Sequence, residues 1–202
     1  MKKFICEQNI AHFRKLLEDA TDPIQRRTLE KLLASQLREL AVLDAERVGA
    51  NAPAPHQREQ PVDTSRIRQE FLADFDTSPP PYLLLDPGPG LQIVDVNAAY
   101  AAATFTSRPD ILGRSLFQVF PDDPDQPFAD GVANLYNSLK TVAKTGRPHA
   151  MAVQRYDIRD TAGIFVERHW QPINTPVHDE VGRLVFLLHH VEDVTGQIVG
   201  QQ

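Results

Sequence analysis

The chain has 202 residues, room for one domain of ~100–150 residues plus an appendage. Its 42% apolar and 24% charged residues match a soluble globular protein, and a net charge of -6 argues against a phosphate-neutralising nucleic-acid surface. One cysteine, Cys6, excludes an internal disulfide and fits a reducing cytoplasm.

Charge is uneven. Residues 1–50 hold nine basic and eight acidic side chains, and the remaining twelve and nineteen give the rest a net of -7. The start, Met1-Lys2-Lys3-Phe4-Ile5-Cys6, opens like a signal peptide, but Glu7, Gln8 and Asn9 interrupt it. No apolar run approaches the ~20 residues that span a bilayer, so no membrane partner is expected and the location predicted is cytoplasmic.

Residues 1–48 predict a helical hairpin. Ile10, Phe13, Leu17 and Ala20 share one helical face. Thr21-Asp22-Pro23 breaks the chain, with Asp22 as cap, Pro23 in the first turn and Gln25 at the capping-box position. The second helix carries Leu29, Leu32, Leu33, Leu37, Leu40 and Leu43 to about Arg47. Two such helices make a thin core, so a dimer partner or the next domain should complete it. Phe13, Leu17, Leu33, Leu37 and Leu40 are therefore expected interface residues of a dimerisation or docking element, with a solvated stabilising hairpin as the alternative.

Residues 49–63, with Pro53, Pro55 and Pro61, read as a linker. The following domain, 64–202, opens with a predicted cap helix over 64–76. Its Ile67, Phe71 and Phe75 recur every four residues and are further interface candidates.

Tyr82–Leu85 and Leu91–Val96 predict a hairpin of strands around the turn Asp86-Pro87-Gly88-Pro89-Gly90. Asn97 caps a helix to about Phe105, a single turn follows at Ser107, and Leu116, Phe117, Val119 and Phe120 bury the next bend. The helix over 128–144 turns Val132, Leu135, Leu139 and Val142 inward. Strands over 149–159, 164–177 and 184–194 complete the domain, with turns at Asp160-Thr161-Ala162-Gly163 and 178–182. The run Leu184-Val185-Phe186-Leu187-Leu188 lacks the alternation of a half-solvated strand. Its outer face should therefore be covered by the 64–75 helix, the hairpin or a second subunit.

Five short segments then fall in one order: Ile93-Val94-Asp95-Val96-Asn97 before a helix, Ile111-Leu112-Gly113-Arg114, Thr145-Gly146, Asn174-Thr175-Pro176-Val177 with Asp179 and Gly182-Arg183, and Glu192-Asp193-Val194-Thr195. Together they resemble the PAS domain of bacterial sensor proteins such as sensor histidine kinases, over residues 81–195. The resemblance implies an α+β fold: a five-stranded antiparallel sheet with helices on one face, here preceded by the α-helical hairpin. It implies a sensory, signal-transducing module rather than an enzyme, one that dimerises and binds a small ligand or a partner protein, often a histidine kinase. The chain stops seven residues after Thr195 with no catalytic domain, so it is expected to act through contacts or to be a fragment of a longer sensor. A non-sensing adaptor with a filled core, docking through the hairpin, is the alternative.

The resemblance also bears on cofactors. Relatives that bind flavin covalently need a cysteine inside the domain, and Cys6 lies outside it, which excludes that adduct. Haem-binding relatives use a histidine on the long helix, and 128–145 has none.

Asn97, Tyr100, Phe117, Arg155, Trp170 and Asn174 are the pocket candidates. Asn97 reads first as a helix cap. Trp170, Pro172 and Asn174 share one strand face, and an inward Asn174 amide needs a ligand, a water or a backbone partner. Arg155, if inward, needs an anion, with Asp157 and Glu167 nearest. His189 and His190 point to opposite faces. With His169 nearby they still lack a third ligand, so no metal is expected. No nucleophile motif, phosphate loop or calcium loop occurs, and no catalytic residue is assigned.

Overall fold

The structure is a computed structural model in which residues 1–52 and 75–199 are described. The predicted cap helix with Ile67 and Phe71, and the linker from Pro53 on, lie outside those residues.

Helix α1 (Lys2–Asp19) and helix α2 (Pro23–Val48) form the hairpin. The Asp22 carboxylate accepts from the Gln25 amide at 2.9 Å, which caps α2 where the sequence places its start. Among the buried hairpin residues are Cys6, Ile10, Leu29, Ala41 and Ala45, while Phe13, Leu17, Leu33, Leu37 and Leu40 are half-buried.

Strands β1 (Tyr82–Leu85) and β2 (Ile93–Val96) pair around the predicted turn. Helices α3 (Ala98–Ala103), α4 (Arg108–Ile111), α5 (Leu116–Val119) and α6 (Gly131–Thr145) follow. The last stretch contains β3 (His149–Ala150), β4 (Gln154–Arg155), β5 (Ile158–Arg159), β6 (Phe165–Val166), β7 (His169–His178), β8 (Leu184–Asp193) and the short α7 (Thr195–Val199). The main sheet is antiparallel in the order β2-β1-β8-β7-β3, with β4 also pairing β7. It thus has the five predicted lanes, β3 and β4 sharing the outer one.

Two predicted strands are corrected. The stretch over 149–159 is interrupted at residues 151–153 and again before Ile158, and the strand predicted to begin at Ile164 starts its long run only at His169. Between them β5 and β6 form a separate two-stranded hairpin. At this crossing the Tyr156 amide still donates to the Arg168 carbonyl at 2.9 Å, while the Tyr156 carbonyl accepts from Trp170 Nε1, also at 2.9 Å, in place of a ladder amide.

The core lies between the inner sheet face and α3–α6. Leu83, Leu85, Leu187, Val191 and Trp170 meet Val132, Leu135, Leu139 and Val142, the four α6 residues predicted to point inward. Ala41 and Ala45 of α2 belong to the same core, so the hairpin packs on the α6 side and not on the outer sheet face. Gly49 and Ala50, read as the start of a linker, are buried: the Ala50 amide donates to the Pro87 carbonyl at 3.0 Å.

The outer face has its own small cluster of Phe75, Leu84, Val185 and Phe186. Val177 pairs Phe186 and His178 pairs Leu184, which leaves Val185 as the extra residue of a β-bulge. The bulge sets Val185 beside Phe186 in that cluster, while Leu187 enters the inner core and Leu188 packs on the outer cluster, so the run at 184–188 fails to alternate because both faces are covered. No helix among the described residues is long and apolar enough to cross a membrane.

Candidate functional site

Between the inner sheet face and the helices lies a cavity of about 50 Å³. Its wall is built from α3 (Tyr100), the α5 bend (Leu116, Phe120), α6 (Gly131, Leu135), the residues of the interrupted edge (Met151, Gln154, Tyr156) and the central strands (Trp170, Pro172, His189, Val191). Among the described residues, none of its lining side chains is an acid or a lysine or arginine. Met151 and Gln154 also line a polar surface groove with Ser138 and His149, so they form the partition between cavity and surface.

The six sequence candidates divide. Tyr100 and Trp170 line the cavity. Asn174 stands directly behind the wall, bonded to His189. Asn97 does not reach it. The Asn97 side-chain oxygen accepts from the Tyr100 and Tyr82 amides, both at 2.9 Å, and its NH2 donates to the Ser78 and Pro80 carbonyls, so it is a cap with no free valence. Phe117 packs edge-on against Tyr136 in the core, outside the lining. Arg155 turns outward and pairs with Asp157 at 2.9 Å and Glu167 at 3.1 Å, so its anion is internal.

The residue whose role sequence reasoning missed is His189, weighed there with His190 and His169 against metal binding. Its partner is Asn174, whose amide was expected to need a ligand, water or backbone group and instead uses side chains. Asn174 Nδ2 donates to Ser138 Oγ at 2.7 Å, and its Oδ1 faces His189 Nδ1, also at 2.7 Å. An amide oxygen only accepts, so Nδ1 carries the proton. Burial, with a smaller contribution from His190, pushes the His189 imidazole down to about 3, so it is neutral and its Nε2 is a bare acceptor. Ser138 Oγ lies 2.8 Å from His149 Nδ1. The result is one hydrogen-bonded chain from the cavity wall through β7 to α6 and the surface. The signal available in sequence was the i, i+2 alternation that puts His189, Leu187 and Val191 on one strand face. His190, on the opposite face, packs on Tyr82 with ring centroids 5.0 Å apart. No group of three His, Cys, Asp or Glu gathers among the described residues.

Helix α6 is held at its start and along its back. Asp122 Oδ1 accepts from the Val132 amide at 3.1 Å, and Asp122 Oδ2 sits 3.7 Å from Arg38 Nε of α2. Burial raises the Asp122 carboxyl above the usual carboxylate range against the pull of those two groups. The Tyr136 hydroxyl donates to the Gly49 carbonyl at 2.9 Å. Leu135, the next residue back, lines the cavity. At the chain's end, Thr195 Oγ1 accepts from the His169 amide at 2.8 Å while Asp193 accepts from the Thr195 amide, tying α7 to β7.

This arrangement of a bulged antiparallel sheet, short connecting helices and a small interior makes an α+β module built around a cavity. The family model described as "PAS fold" matches residues 75–198, and the chain belongs to the PAS family, whose members are signalling modules, in general sensory rather than catalytic. Among solved structures, the chain is similar to the LOV protein of Rhodobacter sphaeroides, with 17% identity, TM-score 0.50, and 64% of this chain and 68% of that one covered. A variant of RsLOV gives 19% identity and TM-score 0.51 over 66% and 70%. The PAS domain of a Colwellia psychrerythraea protein gives 13% identity and TM-score 0.48 over 64% and 98%. At these identities the likeness concerns the fold. No curated protein matches the chain.

Proposed function

We propose that this protein is a cytoplasmic PAS-type sensory module that binds a small molecule in the cavity under α6 and reports occupancy through the N-terminal hairpin to a second copy or another signalling protein, such as a histidine kinase. The observation that carries the reading is the hydrogen-bonded chain His189–Asn174–Ser138, which joins the cavity wall to the helix on which the hairpin is docked. A molecule that prefers one arrangement of α6 over another shifts the population of hairpin states by its differential affinity. The hairpin offers the surface for that output: Phe4, Ile5 and Leu32 are exposed on it at 63%, 50% and 44%.

The size of the cavity favours a second reading, a structural adaptor with a filled core. About 50 Å³ is roughly a third of the ~150 Å³ cavity that accepts a benzene ring. A thermal-shift screen of metabolites, with native mass spectrometry of the purified protein, separates the two. A co-purified molecule, or stabilisation beyond ~2 kcal/mol at saturation, fits the sensor. Indifference to every compound fits the adaptor.

A further inference from the structure

Two polar side-chain atoms of the cavity wall have no hydrogen-bond partner among the described residues. His189 spends Nδ1 on Asn174, which leaves Nε2, and the Tyr100 hydroxyl meets none. Both rings are deeply buried and both belong to the cavity lining. The two rings stand edge to face with centroids 6.1 Å apart. One is a bare acceptor and the other a hydroxyl that can donate. Every other polar group of the inner wall is engaged: Trp170 Nε1 with the Tyr156 carbonyl, Tyr156 Oη with the Phe120 carbonyl, and Thr104 Oγ1 with the Tyr100 carbonyl.

Building on the ligand-binding reading above, we infer that the cavity selects a neutral, largely apolar molecule bearing a hydroxyl group, which donates to His189 Nε2 and accepts from the Tyr100 hydroxyl. Charge is excluded by the wall, which has no ionised side chain to pair with an ion, and an unpaired ion in such a setting is costly. A purely apolar molecule would leave both polar atoms buried and unmet, and a site built around a hydroxyl rejects the analogue lacking it.

The way in is also marked. Met151 lies in the break between β3 and β4, so no strand pairing holds the partition at residues 151–153 beyond the Met151 amide's bond to the Pro172 carbonyl. Met151 is unbranched and flexible. Gln154 beside it is kept by Asn134 from α6 at 2.7 Å. Displacing these two side chains joins the cavity to the groove of about 450 Å³ outside and makes room for a molecule larger than the resting volume.

The test uses three probes of one size on the intact 202-residue chain: phenol, toluene and benzoate. With 15N-labelled histidine, phenol should move the Nε2 resonance of His189 and raise the melting temperature. Toluene should bind at least tenfold more weakly and leave Nε2 in place, and benzoate should not bind. Tyr100→Phe, which keeps the ring, should weaken phenol several-fold and leave toluene unchanged. Equal affinity for phenol and toluene, or a preference for benzoate, overturns the assigned chemistry while leaving a ligand-binding module standing. Failure of all three probes on both the parent chain and Met151→Ala, whose partition is cut back, overturns the assignment and the ligand-binding reading together.

Discussion

At the scale of single residues, the molecule depends on charges and amides whose partners come from distant segments. Asp95 is fully buried on β2 and is held by Arg108 of α4, Nε to Oδ1 at 2.7 Å and NH2 to Oδ2 at 2.8 Å. In the sequence Asp95 stands only on a predicted strand within the first PAS-like segment, because nothing local says that an arginine thirteen positions on folds back over it. Removing Arg108 takes the guanidinium from a buried carboxylate that keeps the Val96 amide, so Arg108→Ala should cost about 3 kcal/mol in urea denaturation, with Arg108→Lys recovering part of the loss. His189 gives a second expectation. Its folded value of about 3 lies below the ~6.5 of an unfolded histidine, so below that value the unfolded chain binds the extra proton first. Its contribution is fully present above pH 6.5 and is lost as pH falls toward 3, by on the order of 2 kcal/mol between pH 6.5 and 4.5. His189→Gln should flatten the stability-pH curve in that window, and an unchanged slope would place the acid sensitivity elsewhere. Asn97 was legible as a cap because capping is local chemistry. His189 and Asn174 were not legible as a pair, because their contact depends on strand register.

Among elements, the helices were readable and the broken strands were not. The inward face of α6 follows from a period of 3.6, and the hairpin's start follows from Asp22 and Pro23. The interruption at 151–153 leaves no mark in the pattern of apolar residues, and the bulge at Val185 lies inside an unbroken apolar run that a strand covered on both faces also gives. Two glycines set distances between elements that no other residue allows. Gly49 closes α2 at φ +60, and a Cβ there would stand 2.0 Å from the Gly88 carbonyl oxygen. Gly49→Ala should therefore loosen α2 from the β1–β2 turn, seen as faster hydrogen exchange over residues 41–50 with the β7–β8 amides unaffected. At the head of α6, a Cβ on Gly131 would meet the Tyr156 ring at 2.1 Å. Gly131→Ala should push that ring into the cavity, lower stability by about 1–3 kcal/mol and abolish phenol binding.

For the whole molecule, the hairpin is best regarded as a wall of the core and not as an arm attached to it. Ala41 and Ala45 are buried with the sheet, and the Glu46 carboxylate accepts from Gln118 Nε2 at 3.2 Å on the far side of the α2 end. Deleting residues 1–52 should expose the back of α6 and give a chain that aggregates or binds hydrophobic dye. A truncated domain that stayed monomeric with an unchanged melting temperature would make the hairpin an accessory. The Ala45 carbonyl receives both the Gly49 amide at 2.9 Å and the Gly90 amide at 2.8 Å. One oxygen thus serves two segments forty residues apart, and the end of α2 has no pivot of its own: any swing of the hairpin must drag the β1–β2 turn along, or else be confined to its distal tip around Thr21, where a spectroscopic ruler would have to be anchored to record it.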